Sequence, residues 1–258
     1  MKRRAMRNET TPNFVLTNDD GWDAPGLVAL REAALPLGAC RVVAPSGPYS
    51  GCGHRVTTHE PIAVRVGPAG EQIVDGTPAD CVRLALHHLA SDVTWFLSGI
   101  NSGGNLGADV YHSGTVAAVR EGVINGLPGI AISQYIARGR PLDWPRASRW
   151  TAQVLRVLLK RRWEPGTYWN VNLPHPEPGG PDPAIVFCPL DPSPLPLRYQ
   201  VTGNVATYSG DYQTRARRPS SDVDVCFGGR ISVTLIRLDG APHEESGHGL
   251  VFDGGEGS

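Results

Sequence analysis

Short apolar runs alternate along this chain with stretches in which apolar residues recur every three or four positions. Phe14-Val15-Leu16-Thr17 reads as a buried strand. From Pro25 onward, Leu27, Leu30, Ala34 and Leu35 fall at helical spacing. Proline suits a first helical turn, where its missing N–H would be unpaired in any case. Cys40 to Ala44 is the next strand, followed by a Gly/Pro/Ser loop from Pro45 to Gly53. Ile62 to Val66 and Gln72 to Val74 flank Gly67-Pro68-Ala69-Gly70 and predict a hairpin. Thr77-Pro78-Ala79-Asp80 combines an N-cap, a first-turn proline and an early acidic residue, ahead of a helix through Val82, Leu84, Ala85 and Leu89. Trp95 to Leu97 predicts a strand and Ser98 to Gly107 a glycine-rich loop. Ser113 caps a helix through Val119 and Ile124 that Gly126 stops, and Ile130 to Ser133 is a strand. Trp150, Val154, Val157 and Leu158 mark an amphipathic helix, and Tyr168 to Leu173 a further strand.

This β-α-β alternation predicts an α/β fold: a mostly parallel sheet with helices on both faces. After Pro174 the pattern changes. Prolines cluster between residues 174 and 196, aromatic and Arg-rich residues follow from Tyr199 to Arg218, then a strand-like run from Ile231 to Leu238 and a Gly-rich tail. Residues 13–180 are therefore read as the α/β core. Residues 181–258 are read as a β-rich extension, or arm, with its tail.

Composition narrows the setting. A formal net charge of −1 over 258 residues gives no electrostatic footprint for a nucleic-acid polymer. The local clusters Arg3-Arg4 and Arg161-Arg162 read as solvated faces. No apolar run approaches a membrane span. The five cysteines, Cys40, Cys52, Cys81, Cys188 and Cys226, form no CxxC pair and are odd in number. That argues against a disulfide framework or a zinc site and for a reducing compartment. The segment from Met1 to Asn13 is polar and basic, without the apolar stretch of a secretory signal. The expected location is the cytoplasm.

Three loops that follow predicted strands carry candidate chemistry. The first holds Asn18, Asp19 and Asp20, the second Ser50, the third Asn101 and Asn105. Open α/β sheets bind ligands beyond the carboxyl ends of their strands, so these loops can converge on one edge. Adjacent carboxylates resist joint ionisation unless a positive group sits between them. Carboxylates, a hydroxyl and an amide form an all-oxygen set that suits Mg²⁺, Mn²⁺ or Ca²⁺ rather than zinc. Taken singly, Asp-Asp-Gly is more often a turn than a metal site, and the Asn/Gly-rich run reads as a series of turns; their shared placement after strand ends favours a site. Ser113-Gly114-Thr115-Val116 lies at a predicted helix start, which serves equally as a plain cap or as an anion site.

These stretches resemble the SurE (survival protein E) family of metal-dependent 5′/3′-nucleotidases. The matching segments are Asn18-Asp19-Asp20-Gly21, Ala24-Pro25-Gly26, Val43-Ala44-Pro45, Ser50-Gly51, Gly76-Thr77-Pro78-Ala79-Asp80-Cys81, Ser98-Gly99-Ile100-Asn101, Asn105-Leu106-Gly107 and Ser113 to Ala118. Glu121-Gly122, Pro128 and Asn170 to Pro174 extend the match. It runs from about residue 13 to 174. The resemblance implies a Rossmann-like core and hydrolysis of nucleoside monophosphates. It implies one divalent metal ion per subunit, Mg²⁺ or Mn²⁺, held by Asp19, Asp20, Ser50 and Asn101. Asp19, Asp20 and Asn105 would act in catalysis, and Asn18, Asn105, Ser113, Gly114 and Thr115 would face the phosphate. It also implies a homodimer or homotetramer that exchanges C-terminal segments. A non-catalytic nucleotide or phosphate sensor on the same fold is the alternative.

The C-terminal third matches least, with Leu235 where the family carries proline after its closing strand. His54 replaces a small polar residue and His112 an aromatic one. Each is either a proton donor to a leaving alkoxide or a loop histidine with no catalytic part.

Overall fold

The computed structural model of the chain describes residues 11–177 and 179–238. The run Arg3-Arg4, most of the polar segment before Asn13 and the Gly-rich tail lie outside the described residues. The elements follow in the order β1 (Asn13–Thr17), α1 (Pro25–Ala34), β2 (Ala39–Pro45), β3 (Val64–Val66), β4 (Gln72–Val74), α2 (Pro78–Leu84), β5 (Trp95–Ser102), α3 (Gly114–Ile124), β6 (Gly129–Gln134), α4 (Trp144–Leu158), β7 (Thr167–Leu173), β8 (Ile185–Phe187), β9 (Tyr199–Thr202), β10 (Val205–Tyr208), α5 (Asp222–Phe227) and β11 (Ile231–Arg237). No helix among the described residues is long and apolar enough to cross a membrane.

Nine strands form one sheet in the order β3-β4-β2-β1-β5-β6-β7-β11-β8. Its centre, β2-β1-β5-β6-β7, is parallel throughout. Alternation along β1 shows why there are three layers. Phe14 and Leu16 pack with Leu27 and Leu30 of α1 and with Trp150, Val154 and Leu158 of α4. Val15 points the other way, among Cys81 and Val82 of α2 and Ala118 of α3. Each fully buried leucine, such as Leu30 or Leu97, contributes about 2 kcal/mol relative to exposure. Gly26 lets α1 settle onto the sheet, because a β-carbon there would stand 1.9 Å from the Ile100 carbonyl oxygen.

The helix starts follow the sequence signals. Thr77 and Asp80 form a full capping box on α2, and Ser113 caps α3 by accepting from the Val116 amide at 3.0 Å. Two expected apolar contacts fall outside the core. Leu35 is 52% exposed, because α1 ends at Ala34 and residue 35 lies about 80° round the helix from residue 27. Val157 lies at the margin of the α4 stripe, where Leu155 is buried instead. The helix expected to run on to Leu89 ends at Leu84 and continues as a wider π turn from Ala85 to Leu89.

The largest differences concern β5 and the C-terminal part. β5 runs to Ser102, through residues expected to form a loop, and pairs with β6 on both sides of a register shift between Ser98 and Asn101. The segment beyond residue 180 divides. β8 and β11 join the main sheet, with β11 antiparallel to β7. β9 and β10 form a separate two-stranded ribbon whose residues are all exposed. The remainder is fastened to the core by buried polar groups. Asp222 accepts from the Gly107 and Asp191 amides, each at 2.8 Å. The buried Arg215 guanidinium binds Asp109 at 2.8 Å, and the Tyr212 hydroxyl reaches the same carboxylate at 2.6 Å. Asp109 lies in the 3₁₀ turn Gly107–Tyr111 that leads into α3, so the C-terminal segment braces the approach to that helix.

Candidate active site

β1 is hydrogen-bonded on one side to β2, its chain successor, and on the other to β5. The direction of winding therefore reverses between β1 and β5. Their carboxyl ends flank the crevice in which doubly wound sheets bind ligands. Asn18, Asp19 and Asp20 leave β1 there, and Asn101 and Asn105 lie at and beyond the end of β5.

The first loop is a turn closed by Asn18. Its amide donates to the Gly21 carbonyl at 2.8 Å, and its carbonyl accepts from the Gly21 amide at 3.2 Å. Expected to face the phosphate, this side chain is occupied in shaping the loop. Asp19 is 5% exposed and accepts a hydrogen bond from the Thr115 hydroxyl. Burial pushes the Asp19 carboxyl up to about 6; the Thr115 hydroxyl opposes that shift, and the neighbouring Asp20 charge adds to it. Asp20 is half-buried and accepts from the Ser102 amide at 3.2 Å, which ties it to the end of β5.

Helix α3 closes on this turn from the other side. A β-carbon at Gly114 would stand 2.9 Å from the Asp19 Oδ2 and 3.0 Å from the Cys52 Sγ. Only glycine allows so close an approach. Amides in a first helical turn lack intrahelical partners. Ser113 takes that of Val116 and the Thr115 amide is turned to the Asp19 carboxylate, which leaves the Gly114 amide, with the positive end of the helix, for an anion.

Ser50 is exposed, in a loop hung from the Tyr49 amide to the Asp19 carbonyl at 2.7 Å. Asn101 is half-buried, and its amide nitrogen donates to the Gly103 carbonyl at 2.8 Å, which leaves its oxygen for a further partner. Asn105 is held deeper. Its side-chain nitrogen donates to the Ser133 hydroxyl at 2.7 Å, its backbone amide to Asn172 at 2.8 Å, and its carbonyl accepts from Asn170 and Asn172. It makes no hydrogen bond with either carboxylate. The structure thus joins Asp19, Gly114 and Thr115 directly, ties the Ser50 loop to Asp19 through the Tyr49 amide and Asp20 to the end of β5 through the Ser102 amide, and sets Asn105 in its own network.

Among the described residues, no group of three or more His, Cys, Asp or Glu side chains is placed to share a metal ion. The two carboxylates would need Ser50 and Asn101 to complete a donor set. That set fits a hard divalent cation: all its donors are oxygens, and a buried, reluctantly ionised Asp19 beside a second carboxylate is the environment a cation relieves.

Several participants have no local sequence signal. Cys52 touches the approach of α3, and Ser133, Asn170 and Asn172 fix Asn105. The one available hint is that polar residues fall within otherwise apolar strands, Ser133 in β6 and Asn170 and Asn172 in β7, and all three are fully buried. His54 is not free in the site. Its Nε2 lies 2.8 Å from Glu121, whose carboxyl that hydrogen bond holds below the usual range against the effect of burial. His112 is exposed, and its carbonyl accepts from the Gly53 amide at 3.2 Å.

Known proteins resemble this chain over most of its length. The family described as Survival protein SurE matches residues 14–187. A protein of Nostoc sp. (strain PCC 7120) is 50% identical over 225 residues, which are 87% of this chain and 99% of that one. A Moorella thermoacetica protein named 5′-nucleotidase SurE is 36% identical over 240 residues, 88% of this chain and 90% of that one. The crystal structure of SurE protein from Aquifex aeolicus superposes with a TM-score of 0.79 at 31% identity, covering 90% of this chain and 95% of that one.

Proposed function

The chain belongs to the SurE family, and from that premise we propose that it is a divalent-metal-dependent phosphomonoester hydrolase acting on nucleoside 5′-monophosphates. The observation that carries this reading is the Thr115–Asp19 hydrogen bond, which joins a helix N-terminus suited to phosphate to a carboxylate pair suited to a cation.

Asp19, Asp20, Ser50 and Asn101 are the groups that would hold one Mg²⁺ or Mn²⁺. Bound there, the cation would polarise the phosphoryl oxygens and offset the charge that develops on them. The Thr115 hydroxyl keeps Asp19 in one orientation. Asp20, the more accessible carboxylate, would orient the attacking water. The Gly114 amide and the helix dipole at the Ser113–Thr115 turn would bind the phosphate without a charged side chain. Such donors stabilise the transferring group without an arginine clamp, which favours release of inorganic phosphate. Asn105 is fixed on the same sheet edge as a further neutral donor or acceptor. Asn18 supports the turn.

The test is phosphate release from a panel of 5′- and 3′-nucleoside monophosphates with Mn²⁺, Mg²⁺ or EDTA. Release from 5′-nucleotides is expected with metal and to fall at least about a hundredfold in EDTA, the scale of losing a Lewis acid. A folded protein that binds nucleotide but releases no phosphate with either metal would instead be a sensor.

We assign the protein to the cytoplasm and to a homodimer or homotetramer built through the C-terminal arm. The β9–β10 ribbon supports the assembly, with Tyr199, Val201 and Val205 at 58%, 70% and 66% exposed. Sedimentation is expected to read two or four subunits, and a monomer at working concentration would remove the assembly.

A further inference from the structure

The loop that carries Ser50 is irregular from Ser46 to Ala63 and holds two glycines in the left-handed region, Gly51 at φ 72° and Gly53 at φ 59°. Such a segment has much conformational freedom to lose, so its place depends on a few fastenings. On the side of the sheet edge, the Tyr49 amide binds the Asp19 carbonyl, and the Gly53 amide binds the His112 carbonyl. On the other side, His54 meets Glu121 at 2.8 Å; beyond it the Arg55 carbonyl accepts from the Thr77 hydroxyl at 2.6 Å, and the Thr57 amide and hydroxyl each donate to Asp80 at 2.8 Å. Those bonds fasten the loop to α2, and His54 is the side chain of the loop that fastens it to α3.

Glu121 is a built receptor for that imidazole. It lies within α3 and is 8% exposed. Its second oxygen accepts from the Asn125 amide at 3.1 Å, and the Arg83 guanidinium of α2 stands 3.9 Å away. Its carboxyl is held below the usual range chiefly by the His54 hydrogen bond, so the negative partner persists near neutral pH. The same helix that presents Thr115 to Asp19 thus grips the Ser50 loop farther along its length. One rigid element sets the distance between the two parts of the donor set.

We propose that His54 is a positioning residue: through Glu121 it holds the Ser50 loop on α3 and so sets Ser50 over the Asp19–Asp20 pair for divalent-cation binding. This rests on reading Asp19, Asp20, Ser50 and Asn101 as the cation site. The role explains why a histidine at this place is engaged away from any leaving group. Its reach to α3 does what a small polar residue cannot do by the same contact.

The experiment titrates Mn²⁺ into the full chain and follows free Mn²⁺ by electron paramagnetic resonance. His54→Ala is expected to raise the Mn²⁺ Kd about tenfold, the scale seen when groups supporting metal ligands are removed. At saturating Mn²⁺, kcat should stay within about threefold, so the loss appears in metal affinity and not in the chemical step. His54→Gln, which keeps a donor near the carboxylate, should recover most of the affinity. Ser50→Ala with His54→Ala should bind no more weakly than Ser50→Ala alone, because the loop then has no ligand left to place. A purely structural histidine would instead add its loss to that of Ser50→Ala, and that result overturns the proposal. So does a folded His54→Ala chain that binds Mn²⁺ like wild type. If His54→Ala fails to fold, Glu121→Gln carries the comparison and is expected to weaken Mn²⁺ binding in the same direction; wild-type affinity there overturns the proposal. A wild-type chain that binds no Mn²⁺ overturns the cation-site reading itself, and the role of His54 with it.

Discussion

Asp19→Asn is expected to lower metal-dependent phosphate release by about a thousandfold or more, a change of roughly 4 kcal/mol in transition-state stabilisation, while the protein stays folded. The substitution keeps the shape of the side chain. Its remaining carbonyl oxygen can still accept from Thr115, so α3 keeps its contact with the β1 turn. What is lost is the buried negative charge. Burial already makes that charge costly, as the shift of the carboxyl to about 6 shows, and the adjacent Asp20 adds to the cost. A neutral amide removes this penalty, so the metal-free variant should melt at the same temperature as wild type or higher. Activity lost together with stability kept or gained is the signature of a group retained for function. Parallel measurement of phosphate release and of melting in EDTA checks both halves. A variant that loses activity because it unfolds would not count in favour of the account, and one that keeps wild-type turnover would contradict it.

Gly114→Ala should have the second largest effect, with about a hundredfold loss in kcat/KM. The added β-carbon would lie 2.9 Å from both the Asp19 β-carbon and its Oδ2, and 3.0 Å from the Cys52 sulfur. None of these neighbours is free to yield. Asp19 is fixed by Thr115 and by its place directly after β1, and Cys52 lies in the loop held by Tyr49 and Gly53. The start of α3 must therefore retreat, by up to about an ångström, loosening the Thr115 contacts with Asp19 and displacing the Gly114 amide proposed to bind phosphate. Misplacement on this scale costs on the order of a hundredfold in rate. Overpacking of this kind also costs about 1–3 kcal/mol of stability. Steady-state kinetics across phosphate-ester concentrations, with a melting curve, provide the check. Wild-type kcat/KM in this variant would show that α3 does not need its close approach to Asp19.

Much of the fold is legible along the chain because its elements obey local rules. Phe14 to Thr17, the capping box at Thr77 and Asp80, and the cap at Ser113 all carry their signals within a few residues. The parallel order also places the Asp19–Asp20 turn and the Asn101 region together, since both lie at the carboxyl ends of strands that meet where the winding reverses. What escaped depends on partners distant in sequence. The β5 extension reads as loop because serine, glycine and asparagine are turn residues by composition; pairing with β6 overrides that preference. β8 is short and bounded by prolines, and its place beside β11 follows from tertiary pairing alone. Asn18, which the resemblance places at the phosphate, exchanges hydrogen bonds with the backbone of the turn three residues on, a contact its own segment does not announce. His54 and Glu121 are 67 positions apart, and nothing near either one announces the other. Asn170 and Asn172 stand in a matching segment, but their function as clamps on Asn105 appears only when β7 is seen beside the loop it faces.

The central claim is that the edge between β1 and β5 holds the cation on which hydrolysis depends. Its most direct measurement is a crystal structure of the Mn²⁺-soaked protein with anomalous scattering recorded at the manganese edge. The account predicts one strong peak per subunit, in contact with the carboxylates of Asp19 and Asp20 and within reach of Ser50 and Asn101. A protein that hydrolyses nucleotides with Mn²⁺ but shows no peak there, or shows it at another place in the fold, would contradict the account.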